Sequence, residues 1–170
     1  MRLRTLAVLF VVGLVGTGIA LAGVNNNWSV HATGEFEVPV RDTPAQGQAI
    51  LHLAKDEQSI DFQLIASNID NVVQAHIHIG ASGANGPVVA FLFGPVPAGG
   101  GAQNGFLSSG TITAANLIGP LAGQPFSALL AEIRSGNAYV NVHTDDGVAP
   151  TNTGPGDFPG GEVRRQLPAD

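Results

Sequence analysis

Three histidines lie in two short segments that alternate polar and apolar residues. His76 and His78 are one residue apart in "AHIHIG", and His143 lies near the end of the similar segment "YVNVHT". Residues two apart in a strand point to the same face, so His76 and His78 share one face and Ile77 lies on the other. Three imidazole nitrogens are a sufficient ligand set for copper or zinc. The pattern predicts a metal site at His76, His78 and His143 if the two segments are neighbouring strands.

Two interpretations of this histidine face remain open. In one, the imidazoles point outward from the sheet and make ordinary hydrogen bonds; in the other, they hold a copper or zinc ion. Asn141 lies on the same strand face as His143, and Glu162 and Arg164 share a face in "GGEVRRQL". We expect Asn141 and Glu162 to support the site, whereas Glu162 and Arg164 also fit a structural ion pair or a clamp on the backbone.

No residue is assigned a catalytic role. The chain has no cysteine and no Gly-x-Ser-x-Gly turn, so nucleophilic catalysis has no local signature, and a non-enzymatic protein is favoured over an enzyme. His31 and His52 stand alone and are expected to be surface or hydrogen-bonded residues. Asp145, Asp146 and Asp157 could in principle bind calcium, but their spacing matches no EF-hand loop, which favours solvated loop carboxylates.

The segments that must position these residues alternate with a period of two between turns rich in glycine and proline. Eight such segments predict an all-β domain, an antiparallel sandwich or barrel. One helix is expected between them, because Phe126, Leu129, Leu130 and Ile133 recur at helical spacing before Gly136.

The N-terminal segment 1–22 reads as an export signal, with Arg2 and Arg4 before an apolar run that ends in small residues. Residues 23–170 are then expected to form one domain in a secreted or extracytoplasmic protein, periplasmic or at the cell surface. Without the signal, five basic and thirteen acidic residues leave a formal charge of −8. This charge argues against nucleic acid, and against membrane contact beyond the signal segment. The partner stays open between a protein and a small ligand.

Three motifs in this order, "AHIHIGASGANGPVVAFL", "GNAYVNVHT" and "GGEVRRQL", resemble the chordin-type (CHRD) domain. The resemblance extends over roughly residues 28–167 and includes the segment that begins "GEFEVPVRDTPAQG". It implies an immunoglobulin-like β-sandwich or barrel, through a faint similarity of the family to copper-zinc superoxide dismutase. The family occurs in secreted and cell-surface proteins, and the domain's own activity is not established.

The dismutase comparison implies a copper pair at His76 and His78, with His143 as a more distant ligand. Only His31 and His52 remain for the bridging and zinc ligands of that enzyme, so a working dismutase is not expected. This chain departs from the family pattern in having an extended loop, residues 145–160. The leading interpretation is therefore a binding or structural module, and the alternative is a protein with one copper or zinc ion at the three histidines.

Overall fold

The computed structural model describes residues 26–170, and the predicted export signal, residues 1–22, lies outside that range. Eight strands form a single antiparallel sheet with the order β5-β4-β7-β8-β1-β2-β3-β6. They are β1 (Asn27–Thr33), β2 (Gln46–Leu53), β3 (Ser59–Asp70), β4 (Val72–Ile79), β5 (Val88–Phe93), β6 (Ala102–Thr113), β7 (Ala138–Thr144) and β8 (Val163–Gln166). The prediction of an all-β fold is confirmed.

The sheet curls into a nearly closed barrel. Its two edge strands, β5 and β6, approach each other where the Ser108 hydroxyl donates a hydrogen bond to the Leu92 carbonyl at 2.7 Å. Closure of this kind covers the unpaired backbone groups that an open edge would present to solvent. The sandwich-or-barrel expectation is thus met by one curled sheet.

The core consists of the apolar residues that alternate along the strands. Leu51, Ile60 and Ile77 are fully buried on the inner face, and their sequence neighbours on the strands point the other way. Complete burial of such a side chain stabilises the fold by about 1.5–3 kcal/mol before entropy is counted. The inner face therefore fixes which residues of each strand remain for the outer face.

One α-helix, α1 (Phe126–Arg134), packs against the barrel between β6 and β7. Its buried residues are the four that the sequence spacing indicates: Phe126, Leu129, Leu130 and Ile133. Gly136 follows the helix with φ of +71°, a left-handed conformation that glycine adopts without the strain of a Cβ atom. Within residues 26–170 no helix is long and apolar enough to cross a membrane.

Strands β4 and β7, which carry the histidines, pair directly. His76 lies opposite Asn141, His78 opposite Tyr139 and His143 opposite Gln74. The histidines point outward from the sheet as expected, but their face is not exposed to solvent, because every residue of β7 is buried and His76 is only 2% exposed. The physical reason is a second layer: residues 145–160, called the covering loop below, fold back over this face of the sheet.

Candidate metal centre

His76, His78 and His143 form one buried cluster on the face of β4 and β7 that is turned away from the core. One ring nitrogen from each lies within 4.8 Å of the others. The closest pair is His76 Nδ1 and His143 Nε2, which are 3.1 Å apart. The structure therefore brings together the three histidines that the sequence predicts as a metal site.

Hydrogen bonds to backbone carbonyls fix the tautomers of two of these histidines. His143 Nδ1 lies 2.9 Å from the Pro159 carbonyl, and His78 Nδ1 lies 2.9 Å from the Gly86 carbonyl. A carbonyl oxygen only accepts, so a neutral imidazole in this position carries its proton on Nδ1 and a lone pair on Nε2. Metal-binding histidines commonly have this arrangement, in which a backbone group orients the ring from behind.

The lone pair of His78 Nε2 has no partner. This atom is buried and has no hydrogen-bond partner in geometric terms, although the Asn141 side chain lies close enough to affect the pKa of His78. His143 Nε2, in contrast, accepts a hydrogen bond from His76 Nδ1. A buried polar atom without a partner costs about 1–3 kcal/mol, and such atoms are rare in native proteins. The cluster thus contains an unsatisfied acceptor that an ion would satisfy.

The histidines are neutral at neutral pH. Burial, and after it the proximity of His143 and His78, lowers the pKa of His76 to about 3. Burial also lowers the pKa of His143 to about 4, although the Pro159 carbonyl acts in the opposite direction. For His78, burial lowers the pKa against the opposing effects of Gly86 and Asn141. Neutral imidazole is the form that binds metal, so few protons compete with an ion here.

The spacing of the nitrogens suits a single ion. Nitrogens at about 2.0–2.1 Å from a tetrahedral ion are about 3.4 Å apart, so small ring rotations bring the cluster to that geometry. To bind, His76 must move its proton from Nδ1 to Nε2 and release His143 Nε2. Three protein ligands leave a fourth position for water or another small ligand.

Aromatic side chains and the covering loop shield the cluster. The Tyr139 ring stacks on His78 at 4.8 Å, and the Phe91 ring meets His76 edge-on at 4.6 Å. From the covering loop, Phe158 exchanges hydrogen bonds with Thr144, and its neighbour Pro159 accepts from His143. The site is therefore enclosed by β4 and β7 on one side and by the covering loop on the other.

Glu162 holds the covering loop in place and does not contact the histidine cluster. Its carboxylate is fully buried and accepts hydrogen bonds from the hydroxyls of Thr43 and Thr144 and from the Gly156 backbone N–H at 2.5–2.9 Å. It forms no ion pair with Arg164. The role that the structure gives Glu162 is to anchor the loop from below.

Arg164 also departs from the ion-pair interpretation and matches the backbone clamp. Its guanidinium donates to the Ala84 carbonyl at 2.8 Å and to Asn85 Oδ1 at 3.1 Å, and it lies 3.4 Å from the centre of the Tyr139 ring. Tyr139 in turn stacks on His78, so Arg164 supports the ring that covers one of the three histidines.

Glu37 is a residue of this region that the sequence does not reveal. It is 3% exposed, its Oε1 has no hydrogen-bond partner, and it interacts with the Asn141 side chain, which also contacts His78. Burial raises the pKa of the Glu37 carboxyl to about 7, although Arg164, the Val38 backbone N–H, Arg41 and Asn141 all lower it. Its sequence neighbours carry no signal of this, because the contact joins segments about 100 residues apart.

The remaining candidates lie apart from the cluster. His31 and His52 are exposed and contact Gln46 and Asn27 respectively, as expected for surface histidines. Asp145, Asp146 and Asp157 each place a carboxylate oxygen within 4.8 Å of the others. The expectation of solvated carboxylates is wrong for Asp157, which is 2% exposed and accepts hydrogen bonds from Thr153.

Together these features describe an antiparallel β-barrel domain with a buried three-histidine cluster on its outer face. The family model for the CHRD domain matches residues 28–167, nearly the whole described chain, and the chain belongs to the CHRD domain family. No curated protein and no solved structure matches the chain significantly.

Proposed function

We propose that this CHRD domain is an exported module that binds one copper or zinc ion through His76, His78 and His143. The observation that carries the proposal is the unpartnered His78 Nε2, which lies buried beside two other imidazole nitrogens within 4.8 Å. Both metals accept three imidazole ligands, and no thiolate or carboxylate belongs to this group of ligands.

A purely structural role for the three histidines is the alternative. A structural cluster would satisfy its polar atoms internally, as Glu162 does with its three donors. The histidines instead leave one acceptor unsatisfied and hold only one hydrogen bond among themselves. Together with the closeness of the three imidazole nitrogens, this difference favours an ion over a structural network.

Export is supported by two observations. The N-terminal segment has the pattern of an export signal, and CHRD domains occur in extracellular proteins. A chain without cysteine gains no disulfide in that environment, and a bound ion would supply a cross-link of the kind that disulfides supply in other exported domains. The mass of the protein recovered outside the cytoplasm tests this part, and cleavage after Ala22 is the expected result.

Metal content tests the central claim. Protein purified from the compartment where it resides should contain about one copper or zinc ion per chain, and apo-protein should bind one equivalent in a chelator-competition titration. His78→Ala should abolish binding, and His143→Ala should do the same. His52→Ala is the matched control, since it removes an exposed imidazole and should leave binding unchanged. Absence of stoichiometric binding to the unmutated protein would show that the cluster is structural.

A further inference from the structure

A cavity of about 490 Å³ opens on the barrel surface beside the histidine cluster, and nothing above assigns it a role. Its walls include the apolar side chains of Phe36, Val38 and Val40. Its charged lining comes from Arg164 and Arg165 and from Glu35 and Glu37. This volume is in the range of small-molecule sites and exceeds the size of a simple inorganic anion. The cavity therefore combines an apolar wall with two guanidinium groups.

Neither guanidinium of this cavity forms an ion pair with an acidic side chain within residues 26–170. Across residues 26–170 the ion pairs of the structure both involve Arg134, which pairs with Glu57 and Asp170. Arg164 is 2% exposed and donates hydrogen bonds to two neutral acceptors, the Ala84 carbonyl and Asn85 Oδ1. A buried charge is unfavourable unless it is paired, so an anion beside this guanidinium would be favoured.

The two nearby acidic residues do not supply that anion. Glu35 is exposed at the rim and accepts a hydrogen bond from the Thr33 hydroxyl. Glu37 forms no ion pair with Arg164. Burial outweighs the opposing effect of the Arg164 charge and raises the pKa of the Glu37 carboxyl to about 7, so at pH 6 it is mostly uncharged. The Arg165 guanidinium, 4.0 Å from the centre of the Phe36 ring, adds a second unpaired cation on the cavity wall.

We propose that this cavity binds a small organic carboxylate, whose carboxylate group lies on Arg164 and Arg165 and whose apolar body packs on Phe36, Val38 and Val40. Guanidinium groups bind carboxylates through paired, charge-assisted hydrogen bonds, and the fork of Arg165 is already oriented by the Phe36 ring. An inorganic anion would use the two arginines and leave the apolar wall uncovered.

Calorimetric titration of the metal-free protein at pH 6 tests the proposal with three probes: 3-phenylpropionate, its neutral amide, and inorganic phosphate. We expect one saturable site for 3-phenylpropionate and at least about tenfold weaker binding of the amide and of phosphate, as expected for loss of a charged hydrogen bond or of the apolar contact. Equal binding of the amide would overturn the role of the arginines. Equal binding of phosphate would overturn the organic class of ligand.

Variants locate the binding to this cavity. Arg165→Gln and Phe36→Ala are expected to weaken 3-phenylpropionate binding at least about tenfold, and both positions are exposed enough to preserve the fold. Arg164→Gln tests the buried guanidinium, and Arg165→Gln carries the test if that variant does not fold. Arg134→Gln removes the same charge from α1, away from the cavity, and should leave the affinity unchanged.

Unchanged affinity in Arg165→Gln, or no saturable binding by the unmutated protein, would refute the cavity site. The readout is carboxylate binding without metal, so the result is independent of whether the histidines bind an ion.

Discussion

Substitution of Glu37 by glutamine should raise stability at alkaline pH. The Glu37 carboxyl is buried, and its pKa in the folded protein is raised from an ordinary 4.5 to about 7. An acid whose pKa is raised by folding favours the folded state fully below its unfolded pKa, and this contribution is lost as the pH rises through the folded pKa. The relevant window is therefore pH 4.5 to about 7.

The magnitude follows from the two pKa values. A difference of about 2.5 units corresponds to about 3 kcal/mol once the carboxyl is ionised in both states, which is the case at pH 8. At pH 5.5 the same linkage amounts to only about 1 kcal/mol, because the folded protein keeps Glu37 protonated. Relative to Glu37→Gln, the unmutated protein should thus lose about 2 kcal/mol between pH 5.5 and pH 8.

Urea unfolding of metal-free protein at a series of pH values measures this difference. Histidines also titrate in this range, but they do so in both proteins, so their contribution cancels when the two curves are subtracted. Glu35→Gln is the matched control, because it removes an exposed carboxyl two residues away and should run parallel to the unmutated protein. Parallel curves for Glu37→Gln as well would refute the reasoning that burial keeps this carboxyl from ionising.

Three further predictions concern the histidine face and the covering loop. Metal-free protein should lose stability as the pH falls below about 6.5, because the folded-state pKa of His76 is lowered to about 3. In urea titrations, His76→Gln should remove about 2 kcal/mol of the loss of stability expected by pH 5. Glu162→Ala should speed proteolytic cleavage within residues 145–160 and lower the free energy of unfolding by about 3 kcal/mol, since three buried donors lose their acceptor. An unchanged cleavage pattern would contradict the anchoring role of Glu162. Gly161→Ala should destabilise the fold by about 1–3 kcal/mol in thermal unfolding, because its φ is +125° and a Cβ would lie 2.6 Å from Glu37 Oε1.

The alternation of each strand could be predicted from the sequence because it is a local property. Ile77 had to face the core and His76 and His78 the other side, whatever strand lay beside them. The helix was equally local, since Phe126, Leu129, Leu130 and Ile133 mark its buried face without reference to the barrel. From the sequence, the pairing of β4 with β7 was only a condition for the metal site, and the structure shows that the two strands do pair.

Burial of the histidine face could not be predicted, because it depends on a loop with no periodic pattern of its own. The path of residues 145–160 is set by long-range hydrogen bonds, such as those of Asn71 with the Gly156 carbonyl and of His143 with the Pro159 carbonyl. The burial of Glu37 could not be predicted from the sequence for the same reason. Its environment is created by Asn141 and Arg164, which are distant in sequence and carry no local mark of the contact.

The two faces of strand β4 carry different residues, isoleucine on the inner face and histidines on the outer face. The register of β4 against β7 therefore decides which of these side chains enter the core. A shift of one residue against β7 would exchange Ile77 with a histidine, so an imidazole would enter the apolar interior while an isoleucine replaced a candidate ligand. Misaligned folding intermediates are therefore less stable for two reasons, because they lose apolar burial and because they desolvate an imidazole. The histidines of β4 thus also favour the correct strand register, which helps the barrel reach one closed topology.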